Sequence, residues 1–102
     1  MNYKVQKKYH TLEDVQEGDI FIVTFYGSIG KSEVLYKRLE YVTSIDKTEE
    51  TFYAEWIEDI FIDSLTWEYD NDSQGWVIDR YTLDDYDFEK VGHIDTHPEY
   101  LI

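Results

Sequence analysis

His93-Ile94-Asp95-Thr96-His97 sets two imidazoles four residues apart with a carboxylate between them. On a helix that spacing brings both rings to one face, where they could hold zinc. Pro98 disfavours helical backbone at His97 and no third ligand stands out, so a polar C-terminal segment is expected instead. Phe25-Tyr-Gly-Ser-Ile-Gly30-Lys31-Ser32 ends in the Gly-Lys-Ser of a phosphate-cradling loop. That loop needs its first glycine at position 25, where phenylalanine stands, so a hairpin turn is expected there. His10 has no serine or threonine assignable to it as a nucleophile. Trp56, Trp67 and Trp76 with nearby carboxylates have the composition of a sugar-stacking platform, but buried aromatics are the commoner use in a small β domain. Carboxylates are too numerous for any pair to be singled out as general acid and base. No enzymatic activity, metal or cofactor is expected.

Charge is the strongest signal. The 102 residues carry 9 Lys and Arg against 23 Asp and Glu, a net charge of −14. Residues 1–48 hold seven acids and seven bases and are neutral, whereas residues 49–102 hold sixteen acids and only Arg80 and Lys90 as bases. Solubility asks for a net charge of about 2–8 in a small domain, so a one-sided excess is a candidate for function. A direct nucleic-acid binder needs the opposite sign, and an anionic membrane surface would repel this chain. The longest apolar run, Ile20–Tyr26 with Thr24 inside it, is too short to span a bilayer, and no signal-peptide core follows Lys4, Lys7 and Lys8. There are no cysteines, so disulfides and thiolate metal sites are excluded. Residues 1–102 are expected to form a single domain located in the cytoplasm. Abundant Ile, Tyr and Lys beside one Ala and two Arg suggest AT-rich coding, as in a low-GC bacterium or its phages.

These residues must be positioned by a mainly β fold. Ile20–Tyr26 is rich in β-branched and aromatic residues and predicts a strand. Thr11-Leu-Glu-Asp14 can cap a short turn before it, and Gly27–Gly30 predicts a turn after it. Residues 32–45 and 54–65 are ambiguous between helix and strand. Leu35, Leu39 and Val42 fit a helix face, as do Ile57, Ile60, Phe61 and Leu65, while the β-branched residues favour strands. Leu65–Tyr69 and Trp76–Tyr81 alternate around a turn cluster and predict a hairpin, and Asp85–Glu89 alternates acid with aromatic as a half-buried strand. About six short strands with regular turns predict a small antiparallel barrel or sandwich, α+β at most through one short helix.

On a strand, next neighbours on one face stand roughly 6.6–6.8 Å apart, comparable to the contour spacing of phosphates along a nucleic-acid strand. A row of carboxylates could therefore stand in for phosphates in the basic groove of a DNA-binding protein, with electrostatic steering. The candidates are Glu68, Asp70, Asp72, Asp79, Asp84, Asp85, Asp87 and Glu89, supported by Glu55, Glu58, Asp59 and Asp63. Tyr69, Tyr81 and Tyr86 are the candidate exposed aromatics for contacts that salt does not screen.

Two resemblances bear on this reading. Leu12-Glu-Asp-Val-Gln-Glu-Gly-Asp-Ile-Phe-Ile-Val23 resembles the opening of SH3-like barrels, which implies a fold and no activity. In size, charge, aromatic richness and lack of cysteine, the chain resembles the small acidic DNA-mimic proteins of phages. These include uracil-DNA glycosylase inhibitors, anti-restriction proteins, anti-CRISPR proteins and inhibitors of the histone-like protein HU. The resemblance is one of class, without a shared motif, and assigns no role to any residue. It implies a non-catalytic inhibitor, often a homodimer, that occupies the DNA-binding surface of a basic protein in the bacterial host's cytoplasm. HU, RNA polymerase, a restriction enzyme and a Cas nuclease all present such a surface. The competing expectation is a structural or assembly module of a phage particle whose acidic face is merely solvated.

Overall fold

The computed structural model describes residues 3–27, 33–62 and 74–101, with Ile62 by its backbone alone. Strands β1 (Lys7–Lys8), β2 (Asp19–Tyr26), β3 (Val34–Asp46), β4 (Thr51–Ile62), β5 (Gly75–Ile78) and β6 (Asp87–His93) form one antiparallel sheet. Their order is β1-β6-β2-β3-β4-β5. The helical pieces among the described residues are α1 (Arg80–Asp85) and 3₁₀ turns at Leu12–Asp14 and Pro98–Leu101. The mainly β, antiparallel expectation with one short helix is met.

β2 lies inside the sheet and is buried on both sides. Phe21 and Val23 pack with Tyr9, Val42, Phe52 and Phe88 on one face, and Ile20 packs with Leu39 and Val91 on the other. A strand covered on both faces must be apolar nearly throughout, which is why Ile20–Val23 reads so plainly. Where they are described, from Val34 in the first and to Ile62 in the second, the ambiguous segments are strands. In β3, Leu39 and Val42 pack on opposite faces, and in β4, β-bulges explain the helix-like spacing. Glu40 pairs with Trp56 and Leu39 with Glu58, so Ile57 is an extra residue, as is Ile60 between Asp59 and Phe61. Each extra residue shifts the two-residue period by one and imitates a helical repeat.

The predicted strands around α1 are corrected. β5 ends at Ile78, and Arg80 and Tyr81 belong to α1 together with Asp84 and Asp85. Asp79 caps this helix, accepting from Thr82 N at 2.9 Å and Thr82 Oγ1 at 3.0 Å. β6 starts at Asp87, so Asp85 shares no strand face with Asp87 and Glu89. The expected hairpin partner Leu65–Tyr69 lies outside the described residues, and β5 pairs with β4.

The corner before β2 is built on Gly18 (φ +90°), where an added Cβ would meet His93 Nε2 at 2.7 Å. Buried Asp19 follows, accepting from Tyr9 Oη at 2.7 Å and Gln16 N at 3.0 Å, with Lys90 Nζ 3.1 Å away. In the β3–β4 hairpin, Asp46 Oδ1 accepts from Thr48 N and Glu49 N at 3.0 Å each. Glu50 then takes a left-handed backbone (φ 55°), which disfavours any residue with a Cβ. Replacing Glu50 by glycine is expected to raise stability by up to about 1 kcal/mol, read as a higher Tm, while alanine brings no such gain.

Candidate functional site

The two sheet faces treat carboxylates differently. On the face that carries Phe21 and Val23, β3 directs Tyr36, Arg38 and Glu40 inward, opposite β4 residues Trp56 and Asp59. Glu40 is fully buried and accepts from Trp76 Nε1 at 2.6 Å, with Arg38 Nη1 3.4 Å away. Arg38 Nε donates to Tyr36 Oη at 2.6 Å and lies 3.7 Å from Asp59 Oδ1. That carboxylate also accepts from Trp56 Nε1 at 3.1 Å and from the Tyr36 phenol. Burial pushes the Glu40 carboxyl up to about 7, against the opposing pull of the Trp76 hydrogen bond and the Arg38 charge. Phe25 packs against Trp76 and Tyr36, closing aromatic rings around the polar groups.

The other face carries Leu39 and Tyr41 opposite Glu58 and Glu55, which the bulge at Ile57 brings to the same side. Tyr3 donates to Glu58, and Tyr41 to Glu55 at 2.5 Å. Near the other end of the sheet Tyr26 donates to Asp87, which also meets Lys8 Nζ at 2.6 Å. Together with Tyr9–Asp19 and Tyr36–Asp59, these pairs reveal a recurring device. A phenol satisfies and orients a carboxylate without cancelling its charge, as a lysine would. Burial, then the Glu58 hydrogen bond, pushes the Tyr3 phenol up to about 12. The Tyr41 phenol is raised mainly by its hydrogen bond to Glu55, so both remain donors at neutral pH.

The twelve carboxylates nominated from the sequence therefore divide. Asp63, Glu68, Asp70 and Asp72 lie outside the described residues, as does Tyr69. Glu55 and Glu58 share one face of β4, and Asp84 and Asp85 are exposed on α1. Glu89, half-buried on β6, sits between Lys8 and Ile22 in register. Asp59, Asp79 and Asp87 are committed to the inner cluster, the helix cap and the Lys8 ion pair. The capping hydrogen bonds from Thr82 hold the Asp79 carboxyl below its usual range. Tyr81 is 63% exposed, with Arg80 4.8 Å from its ring centre. Tyr86, expected to be exposed, instead packs edge-on against Phe25 at 4.8 Å, because α1 turns the chain back onto the sheet there. Arg38 and Glu40 were not nominated; their signal was a charged pair two apart in a strand whose neighbours alternate.

The remaining motifs fare as follows. After β2 the chain enters another strand, β3, whereas a phosphate-cradling loop opens a helix. His93 Nε2 lies 2.9 Å from Glu17 O, while His97 stacks on Tyr100 at 5.0 Å. Trp76 stacks on Phe88 at 6.1 Å inside the sheet, and Trp67 lies outside the described residues. An open cleft of about 850 Å³ beside α1 is floored by Leu12, Val15 and Ile45 and rimmed by charges of both signs, including Glu13, Lys47 and Arg80. No helix among the described residues is long and apolar enough to cross a membrane. No family model, curated protein or solved structure matches this chain.

Proposed function

We propose that this chain is a non-catalytic DNA mimic that occupies the DNA-binding surface of a basic protein in a bacterial host. The observation that carries the reading is the union of charge and fold at one end of the sheet. From Thr48 to Asp79 the sequence holds ten acids and no Lys, Arg or His, and this run contains β4 and β5, the last two strands in the sheet order. Exposed Lys7 and Lys8 lie on β1, at the opposite end. Phenol donors hold Glu55 and Glu58 in place on β4 while leaving their charge intact. An array ordered before binding loses less side-chain entropy on association, and its field speeds encounter with a basic groove.

The test is retention of partners by the tagged chain from a nuclease-treated low-GC bacterial lysate, with elution by rising salt and, separately, by duplex DNA. A basic DNA-binding protein released by both eluents is the expected result. Its affinity should fall at least about tenfold between about 50 and about 200 mM salt. The internal engagement of Asp59, Asp79 and Asp87 favours a second reading, an assembly module of a phage particle with a solvated acidic face. Partners indifferent to both eluents would establish that reading in place of mimicry.

A further inference from the structure

We propose that the open cleft beside α1 seats a short basic segment of the partner, with an apolar side chain on its floor and flanking arginines or lysines at its rim. The inference deepens the DNA-mimic reading and rests on its premise that the partner is basic. The cleft holds about 850 Å³ between three elements: the 3₁₀ turn Leu12–Asp14, the tip of the β3–β4 hairpin and α1. Its floor is apolar because the main core reaches the surface here. Val15 belongs to that core, and half-buried Leu12 and Ile45 pack against it. Every lining residue is among those described, and the described segments end elsewhere. Gly27 N donates to Glu33 O and Ile62 stands opposite Tyr36 at one end of β3, whereas the cleft borders the other end, at Asp46 and Thr51. Gln74 accepts from Trp56 N, well along β4 from Thr51, and Tyr3 and Tyr100 pack on the other sheet face.

Carboxylates play two parts around the cleft. Asp14, Asp46 and Asp79 build its walls. Asp14 accepts from His10 N at 2.9 Å and Thr11 N at 3.0 Å, Asp46 from two amides of the hairpin tip, and Asp79 caps α1. The walls are thus set before a ligand arrives, and a preorganised site loses less on binding. On the rim, Glu13, Asp46, Glu50 and Asp84 face only Lys47 and Arg80 as permanent cations. Arg80 is already engaged with the Tyr81 phenol at 2.8 Å, while Glu13 and Asp84 make no hydrogen bond or ion pair among the described residues. An apolar floor below a mainly acidic rim selects a ligand that is itself cationic and amphipathic. A second copy carries such a segment, with Val5 46% exposed between Lys4 and Lys7, but two chains of net charge −14 repel each other. A basic partner meets the same cleft with its charge attracted.

The probe is the peptide acetyl-Arg-Leu-Arg-amide, titrated into the full chain while backbone amide NMR shifts are followed. One comparator is acetyl-Arg-Gly-Arg-amide, of equal charge without the apolar anchor. The other is acetyl-Gly-Leu-Gly-amide, with the anchor and no charge. The first peptide should bind at least about fivefold more tightly than either comparator, with shifts centred on the residues that line the cleft. The double variant E13Q/D84N should weaken it at least about threefold, whereas D95N/E99Q, an equal loss of charge at exposed residues elsewhere, should change it less than about twofold. Equal binding of the two arginine peptides, with shifts spread over the acidic surface, would overturn the cleft while leaving the charge reading in place. Equal binding of the uncharged peptide would overturn the basic occupant. No shift with any peptide would overturn the cleft, and mimicry would then be judged by retention from the lysate alone. A dimer in sedimentation that both Val5→Asp and E13Q/D84N dissociate would assign the cleft to a second copy and overturn the choice of partner. The peptide comparison on the parent chain decides the matter even where a variant fails to fold.

Discussion

Replacing Arg38 by methionine is expected to cost about 3–5 kcal/mol of stability at pH 8, the usual cost of removing one partner from a buried ion pair. The guanidinium stands between Glu40 and Asp59, 3.4 Å from one carboxylate and 3.7 Å from the other, and its side chain is almost completely buried. Methionine fills much of the same volume, so the loss reports charge more than packing. Domains of this size have total stabilities of about 5–15 kcal/mol, so urea denaturation should show a large shift of the midpoint. The defect should shrink as the pH falls towards 5, because a protonated Glu40 no longer needs a cation beside it. A variant as stable as the parent protein at pH 8 would mean that the inner carboxylates are satisfied without Arg38.

Replacing Glu40 by glutamine is expected to remove a specific pH dependence. The carboxyl is pushed from its ordinary 4.5 up to about 7, mainly by burial. The folded state therefore holds this proton more tightly than the unfolded chain does. The stabilisation is complete below about 4.5 and is lost as the pH rises through about 7, amounting to about 3 kcal/mol across that window. Glutamine keeps a carbonyl oxygen for Trp76 Nε1 and cannot ionise. The stability of E40Q minus that of the parent should therefore climb by about 3 kcal/mol between about pH 4.5 and pH 8, on top of a constant offset. The other carboxylates titrate in both proteins and largely cancel in this difference. A flat difference would mean that the folded chain holds the Glu40 proton no more tightly than the unfolded chain does.

Both predictions concern residues that sequence reasoning passed over. A strand with one buried face normally alternates apolar with polar, but β3 presents Tyr36, Arg38, Glu40 and Val42 to the interior. Hydropathy therefore places Arg38 and Glu40 on the wrong side. Cross-strand partners such as Trp76 in β5 and Asp59 in β4, with the Tyr36 phenol beside them, make their burial tolerable. Bulges hid β4 in a similar way, since Ile57 and Ile60 each add a residue that the two-residue period cannot accommodate. Helix α1 escaped notice because six residues are too few for a helical period to emerge, although Asp79 three residues before Thr82 was a capping signal.

Apart from the expected Gly27–Gly30 turn, of which residues 28–30 lie outside the described residues, the sequence by itself determined the β class, the strand over Ile20–Tyr26 and the accumulation of acids after Thr48. These are local properties, readable from propensity, turn residues and composition within a few positions. Tertiary structure alone decided which carboxylates face outward and what holds them. Tyr3 meets Glu58 across 55 positions and Tyr26 meets Asp87 across 61, distances over which no periodicity carries information. It also divided the acidic half of the sequence, because β4 and β5 stand together at one end of the sheet while β6, with Asp87 and Glu89, is inserted between β1 and β2 at the other. Strand register and strand order are set by long-range pairing and bulges, so the placement of charge in space becomes visible only once the sheet is assembled.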